Sequence, residues 1–359
     1  MDCFLKKDNL RIGVTRIEWK SIIVLPYILF LSSLLFGCCA STKYPNSDHF
    51  DGRRFYNPTQ VEENGILRIL KLLVTINFEE WPEKVQNEKT NLIKTPLNKD
   101  QIAITFINHA TVLIQSREIN ILTDPVWSER ISPVSWAGTK RVREPGIRIE
   151  DLPPIDLVVI SHNHYDHLDL ETLKTLNRKF SPKFLVPLGD KELLQSEGIS
   201  DTEEMDWWQT IKIKKKANVT FTPTQHLSAR GIFDWNRSLW GSYMIKIESR
   251  KVYFGGDAAY SSHYKEIKKR LGSPDISLLP IGAYEPRWFM RLVHMNPSDA
   301  IQAHKDLGSK LSIGIHFGTF QQTEEALNAP AEELQKELLE AGLNLSNFKI
   351  LKEGIAQIY

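Results

Sequence analysis

Past residue 100 the chain falls into short apolar runs separated by polar turns. Runs at Ala103–Ile107, Thr111–Ile114, Ile119–Thr123 and Leu157–Ile160 predict buried strands, and further runs at Val219–Thr222, Leu239–Ile247, Lys251–Phe254, Ile276–Ile281 and Lys310–Ile315 predict more. Helical spacing predicts helices at Leu170–Asn177, Tyr260–Leu271, Pro297–Leu307 and Thr323–Gly342, the last opening on a threonine and closing on a glycine as caps do. Strands first, then helices, with the scheme repeated in the second half, predict an α/β fold: a four-layer αβ/βα sandwich, two sheets with helices outside.

Before residue 100 the pattern differs. Residues 41–100 are polar and punctuated by Pro45, Pro58, Gly65, Pro82 and Pro96, with one apolar patch, Ile66 to Ile76, that reads as an amphipathic helix. Residues 38–100 are therefore expected to form a tether and N-terminal arm, and 101–359 the main domain. In the arm, the stretch Asp48 to Phe55 reads as loop packing, and His49 as a structural histidine. Ahead of the arm, Lys6, Lys7, Arg11, Arg16 and Lys20 precede an apolar run from Ile22 to Gly37 that Pro26 interrupts. A basic head and an apolar stretch too short for a comfortable span read as an export signal over 1–37, an uncleaved anchor being the alternative. Leu35-Phe36-Gly37-Cys38 resembles the lipobox of bacterial lipoproteins, in which the cysteine carries the lipid. Cys38 is thus the expected anchor, and the expected location is the bacterial cell envelope, tethered to a membrane outside the cytoplasm.

Composition removes several chemistries. All three cysteines, Cys3, Cys38 and Cys39, lie at or before that junction, so disulfides, thiolate ligands and cysteine nucleophiles are excluded from the main domain. Leaving out the five basic and three acidic residues ahead of Cys38, 40 basic residues face 41 acidic ones, which is no electrostatic footprint for nucleic acid.

What remains is histidine and aspartate, and these are concentrated. The run Ser161-His162-Asn163-His164-Tyr165-Asp166-His167 leaves the predicted strand Leu157–Ile160 and places three imidazoles and a carboxylate in six positions. In an extended segment, residues two apart share a side, so His162 and His164 converge on one ion. Asp166 and His167, on the following turn, face a second. Imidazole and carboxylate suit zinc, with iron or manganese as substitutes. Three later strand ends carry the same residue types: His226 after Val219–Thr222, Asp257 after the paired Gly255 and Gly256, and His316 after Ser312–Ile315.

This order, His-x-His-x-Asp-His followed by His, Asp and His, resembles the metallo-β-lactamase superfamily. Within it, the blocks Asn108-His109-Ala110-Thr111, Leu122-Thr123-Asp124-Pro125, Leu152-Pro153-Pro154-Ile155-Asp156, Asp206-Trp207-Trp208, Leu239-Trp240-Gly241-Ser242 and Gly282 through Met290 resemble the N-acylphosphatidylethanolamine-hydrolysing phospholipase D group. The resemblance implies two zinc ions, one on His162, His164 and His226, the other on Asp166, His167 and His316, with Asp257 between them. It implies a further histidine near the substrate phosphate at His294, and at His109 a group that orients its neighbours rather than a ligand. Leu227 and the stretch Ser228 to Phe233 depart from the family pattern, which leaves the acyl-chain preference open.

The expected reaction is hydrolysis of a membrane phospholipid to N-acylethanolamine and phosphatidic acid by a water acidified between two metals. Asp166 is the expected proton acceptor, His294 acts on the leaving side, and Tyr165, Trp288, Phe289 and Met290 are the expected substrate contacts. A lactonase or small-molecule phosphodiesterase on the same fold is the alternative, and a non-catalytic surface lipoprotein the alternative of another class. A homodimer is left open.

Overall fold

Two mixed sheets repeat one plan in the computed structural model, which describes residues 44–359 apart from 60–64, 89, 92, 94, 95, 214 and 215. The expected export signal and the Cys38 anchor lie outside the described residues. Among the described residues, no helix is long and apolar enough to cross a membrane.

After helix α1 (Ile66–Thr75), strands β1 (Ala103–Asn108), β2 (Thr111–Gln115) and β3 (Asn120–Thr123) run antiparallel, and a small ribbon of β4 (Arg130–Ile131) and β5 (Thr139–Lys140) follows. Then β6 (Leu157–Val159), α2 (Leu170–Phe180), β7 (Lys183–Pro187), α3 (Lys191–Ser196) and β8 (Thr202–Met205) extend the sheet in parallel. The second half does the same. Strands β9 (Thr210–Ile213), β10 (Ala217–Thr222), β11 (Ser242–Ile247) and β12 (Arg250–Phe254) are antiparallel. Helix α4 (His263–Leu271), β13 (Ile276–Pro280), α5 (Arg287–Met290), α6 (Pro297–Leu307), β14 (Leu311–Ile315), α7 (Ala329–Glu340) and β15 (Phe348–Lys349) follow, with the strands parallel. Each main sheet has seven strands, because β16 (Ala356–Ile358) returns to pair with β1 and ties the end of the chain to the first sheet.

Strand alternation explains the layering. In β2, Val112 and Ile114 face the core between the sheets while Leu113 faces outward; in β6, Leu157 and Val159 do the former and Val158 the latter. The outer face of the first sheet packs on Leu173 and Leu176 of α2 and Leu194 of α3. That of the second packs on Ile267 of α4, Ile301 and Leu307 of α6, and Leu334 and Leu338 of α7. Strands buried on both faces carry continuous apolar runs, which is why the sequence announced them. The fold is the α/β sandwich that was expected.

Several boundaries moved. Helix α7 begins at Ala329 rather than Thr323, because Pro330 suits a first turn and the preceding residues are engaged elsewhere. The Glu325 carboxylate accepts from the backbone N–H groups of Ala283, Tyr284 and Glu285. Strand β11 starts at Ser242 rather than Leu239, since the Gly241 N–H is drawn to the Ser161 carbonyl (3.0 Å) and the Trp240 carbonyl to the Trp207 indole (2.8 Å). Helix α4 starts at His263, and Tyr260 instead places its hydroxyl on Asp306.

Of the stretch expected as tether and arm, residues 44–59 lie along the domain. Phe50 and Phe55 are buried in the core between the sheets. His49 is held between Asp48 and Asp206 (2.6 and 2.7 Å) and stacks on Trp207, a structural role as expected.

Candidate metal centre

The loops leaving β6, β10, β12 and β14 converge, and their histidines and aspartates form one buried group. The β6 loop turns sharply: the His164 carbonyl accepts from the N–H groups of both His167 and Leu168, so the chain folds back after two extended residues. His162 Nε2 and His164 Nδ1 are 2.8 Å apart, and the His226 ring lies across from both, its centroid 4.6 Å from His162 and 5.3 Å from His164. One donor atom from each of these three comes within 4.8 Å of the others, and the same holds for His109, Asp166, His167 and His316.

Asp257 joins the two groups. Its Oδ2 is 3.2 Å from His167 Nε2 and 3.8 Å from His226 Nε2, and its Oδ1 is 3.0 Å from His316 Nε2. Gly256 makes this approach possible: at φ +58° a side chain is strained, and a Cβ there would lie 2.5 Å from that of Ser161. At the facing loop, a Cβ on Gly282 would meet the His316 carbonyl at 2.2 Å. His109, Asp124 and His316 all adopt positive φ without being glycine, strain that gathers where a site dictates side-chain direction.

Hydrogen bonds behind the rings fix which nitrogen looks inward. His167 Nδ1 donates to Asp124 (2.6 Å), whose carboxylate also accepts from the Ser161 N–H and hydroxyl. His226 Nδ1 donates to the Val293 carbonyl (2.9 Å). Each leaves Nε2 toward the centre, the arrangement that orients imidazole ligands. His109 Nε2 and Gln322 Nε2 both donate to Asp166 Oδ2 at 2.9 Å, and the His109 carbonyl accepts from the His316 N–H. His109 thus holds Asp166 through its ring and His316 through its carbonyl. Nothing in the sequence marks Asp124 or Gln322 individually; only a block that includes Asp124 stands out.

The electrostatics ask for cations. Burial opposes charge on Asp257 and Asp166, but the neighbouring histidines outweigh it and hold both carboxylates well below their usual range. Burial keeps His162, His164 and His226 neutral, with His164 pushed down to about 3. His167 and His316 go the other way: burial resists, yet the carboxylates prevail and raise both, His316 to about 9. Protons on these two rings balance the carboxylates in the metal-free protein. The Nε2 atoms of His167, His226 and His316 are buried without a hydrogen-bond partner. Neutral inward-facing imidazoles, ionised carboxylates and unpartnered donor atoms fit divalent metal ions.

Of the other expected site residues, His294 joins the centre, its Nδ1 3.9 Å from Asp257 Oδ2 and its ring 5.2 Å from that of His226. Trp288, Phe289 and Met290 form α5 at half-buried positions, and Lys71 of α1 lies over the Trp288 ring at 4.4 Å. Tyr165 is half-buried beneath the Arg230 guanidinium (4.0 Å) and donates to the Arg230 carbonyl, so it links the metal loop to the 228–238 loop. A cleft beside the His316 flank is lined by Trp81, His109, His316, Gln322 and Glu325.

Residues 119–317 match the family model of the β-lactamase superfamily domain. The chain is 38% identical over 266 residues to N-acyl-phosphatidylethanolamine-hydrolyzing phospholipase D 1 of Caenorhabditis elegans, covering 71% of this chain and 74% of that one. It is 35% identical over 223 residues to the mitochondrial N-acyl-phosphatidylethanolamine-hydrolyzing phospholipase D of Saccharomyces cerevisiae, covering 60% of this chain and 47% of that one. Its fold is similar to that of a metallo hydrolase from Ignicoccus hospitalis, with a TM-score of 0.54 at 20% identity over 72% of this chain and 98% of the other.

Proposed function

Because the chain belongs to the β-lactamase superfamily of metal-dependent hydrolases, we propose that it is a phosphodiesterase of the phospholipase D type, cleaving N-acylphosphatidylethanolamine-type phospholipids to N-acylethanolamine and phosphatidic acid. The observation that carries this is the pair of donor groups meeting at Asp257. His162, His164 and His226 would hold one metal ion, Asp166, His167 and His316 the other, and Asp257 both; zinc suits these donors best, with iron or manganese as substitutes. Two bound metals supply an acidified water and neutralise charge on a phosphoryl group.

The chain's own groups do the rest. Water oxygen bonds to phosphorus, the bond from phosphorus to the ethanolamine oxygen breaks, and a proton must leave the one and reach the other. Asp166, ionised and steadied by His109 and Gln322, accepts the first proton. His294 is kept neutral by burial, its pKa well below the usual value, and donates a hydrogen bond to the leaving oxygen, which takes up the proton that Asp166 accepted and departs as the alcohol. His294→Ala is expected to lower kcat with metal content unchanged; loss of a metal ion from that variant, read by elemental analysis, would make His294 a ligand instead.

A lipid substrate is supported by the outside of α1. Leu67, Leu70 and Val74, at helical spacing, are exposed (79%, 51% and 84%), while the same helix rests on Trp288 through Lys71. An apolar stripe flanked by lysine and arginine suits an anionic lipid surface. The proposed location at a membrane of the cell envelope, through Cys38, accords with it.

The test is a substrate panel with the full chain in mixed micelles: N-acylphosphatidylethanolamine, a lactone and a small phosphodiester. Release of N-acylethanolamine is expected, slowed on vesicles but not on short-chain soluble analogues when Leu67, Leu70 and Val74 become serine. Turnover of the lactone or the soluble diester alone would overturn the lipid reading and leave the hydrolase standing.

A further inference from the structure

Among the described arm residues, Asn57 hydrogen-bonds to a residue of the metal centre, and we propose that it is a positioning residue of that centre, fixing His226 through its backbone. The inference rests on the metal-centre reading above. Asn57 Oδ1 accepts from the His226 N–H (2.9 Å) and from the Trp240 indole N–H (3.1 Å). Two residues on, the Thr59 hydroxyl donates to Gln225 Oε1 (2.9 Å). The Gln225 carbonyl in turn accepts from the Ala259 N–H (2.8 Å), joining the grip to the loop that carries Asp257. Asn57 is itself anchored, because Phe55 is 2% exposed in the core and its N–H donates to the Asn236 carbonyl.

The consequence lies in what His226 still has free to move. Its ring is tied at Nδ1 to Val293, and its main chain is tied to Asn57. With both ends held, Nε2 points at His162 and His164 before any metal arrives, and binding need not pay for ordering the ring. Without the amide oxygen, the His226 N–H has no acceptor at a residue that is 1% exposed, so the loop must shift to find one. Asp166, His167 and His316 hydrogen-bond to no arm residue among the described residues, and Thr59 still holds Gln225 and through it the Asp257 loop, so the shift falls on one donor group only.

The experiment is a competition titration of the full chain with cobalt(II) against a chromophoric chelator, for wild type, Asn57→Ala and Asn57→Asp. Asn57→Ala is expected to weaken one of two cobalt ions about 10- to 100-fold, with a changed visible spectrum for that ion, and to leave the other unaltered. Asn57→Asp keeps an acceptor oxygen in the same place and is expected to match or exceed wild type. Asn57→Ser, with a shorter reach, takes the place of Asn57→Ala in the same titration if the alanine variant yields no folded protein. Wild-type affinity and spectrum for both ions in the shortened variant, or equal losses in the shortened variant and Asn57→Asp, would overturn the inference. A wild type that binds no metal would instead sink the functional reading, so the two failures are distinguishable.

Discussion

Asp257→Ala is expected to abolish turnover and loosen both metal ions at once. Among the described residues no other side chain stands in its position: 3.0 and 3.2 Å from the Nε2 atoms of His316 and His167 on one side, 3.8 Å from that of His226 and 3.9 Å from His294 Nδ1 on the other. It is 2% exposed, so water cannot replace the charge it supplies. Burial works against its ionisation, and it stays ionised because His167 and His316 face it. Outer partners of metal ligands cost about 10- to 100-fold when removed, so a residue between both donor groups should cost more than about a hundredfold in affinity at each. Asp257→Asn keeps shape and an acceptor oxygen but no charge, and should fall between the two. Elemental analysis and kcat measured on the same samples check this; an alanine variant with two tightly bound metals would show that the groups do not share a carboxylate.

What the sequence made legible follows from where the information sits. His162, His164, Asp166 and His167 were readable because a turn after an extended pair sorts them by spacing alone. His226, Asp257 and His316 each stand just past an apolar run, and one placement repeated at three strand ends carried them. Asp124 and Gln322 were not readable as orienting groups, since an aspartate after a threonine and a glutamine beside another have no pattern that tells of a partner dozens of residues away. Asn57 was hidden for the same reason: its partner His226 is 169 positions distant. In the fold, the strand Lys183–Pro187 escaped because its run ends on a proline, and Thr202–Met205 because Glu203 and Glu204 break its apolar pattern. The start of α7 was misplaced because Thr323 imitates a cap while the Glu325 carboxylate is spent on the 283–285 turn.

Metal uptake is expected to release about two protons at neutral pH, and affinity to climb with pH accordingly. In the metal-free protein His316 is raised to about 9 and His167 well above its ordinary value, both against the resistance of burial, by carboxylates that include Asp257 and Asp166. At pH 7 both rings therefore hold their extra proton. A metal needs the bare nitrogen, so each binding event must expel one. The sign is fixed by that order: while a ring holds its extra proton, that proton competes with the metal, so affinity gains about tenfold per pH unit for each proton displaced, and the gain due to His316 levels off above about pH 9. His162, His164 and His226 contribute none of this, because burial has already stripped them at pH 7. Titration calorimetry in two buffers of different ionisation enthalpy counts the protons directly. A count near zero, or an affinity unchanged between pH 6 and 8, would mean that His167 and His316 are neutral before the metal arrives and that the carboxylates draw their counter-charge from elsewhere.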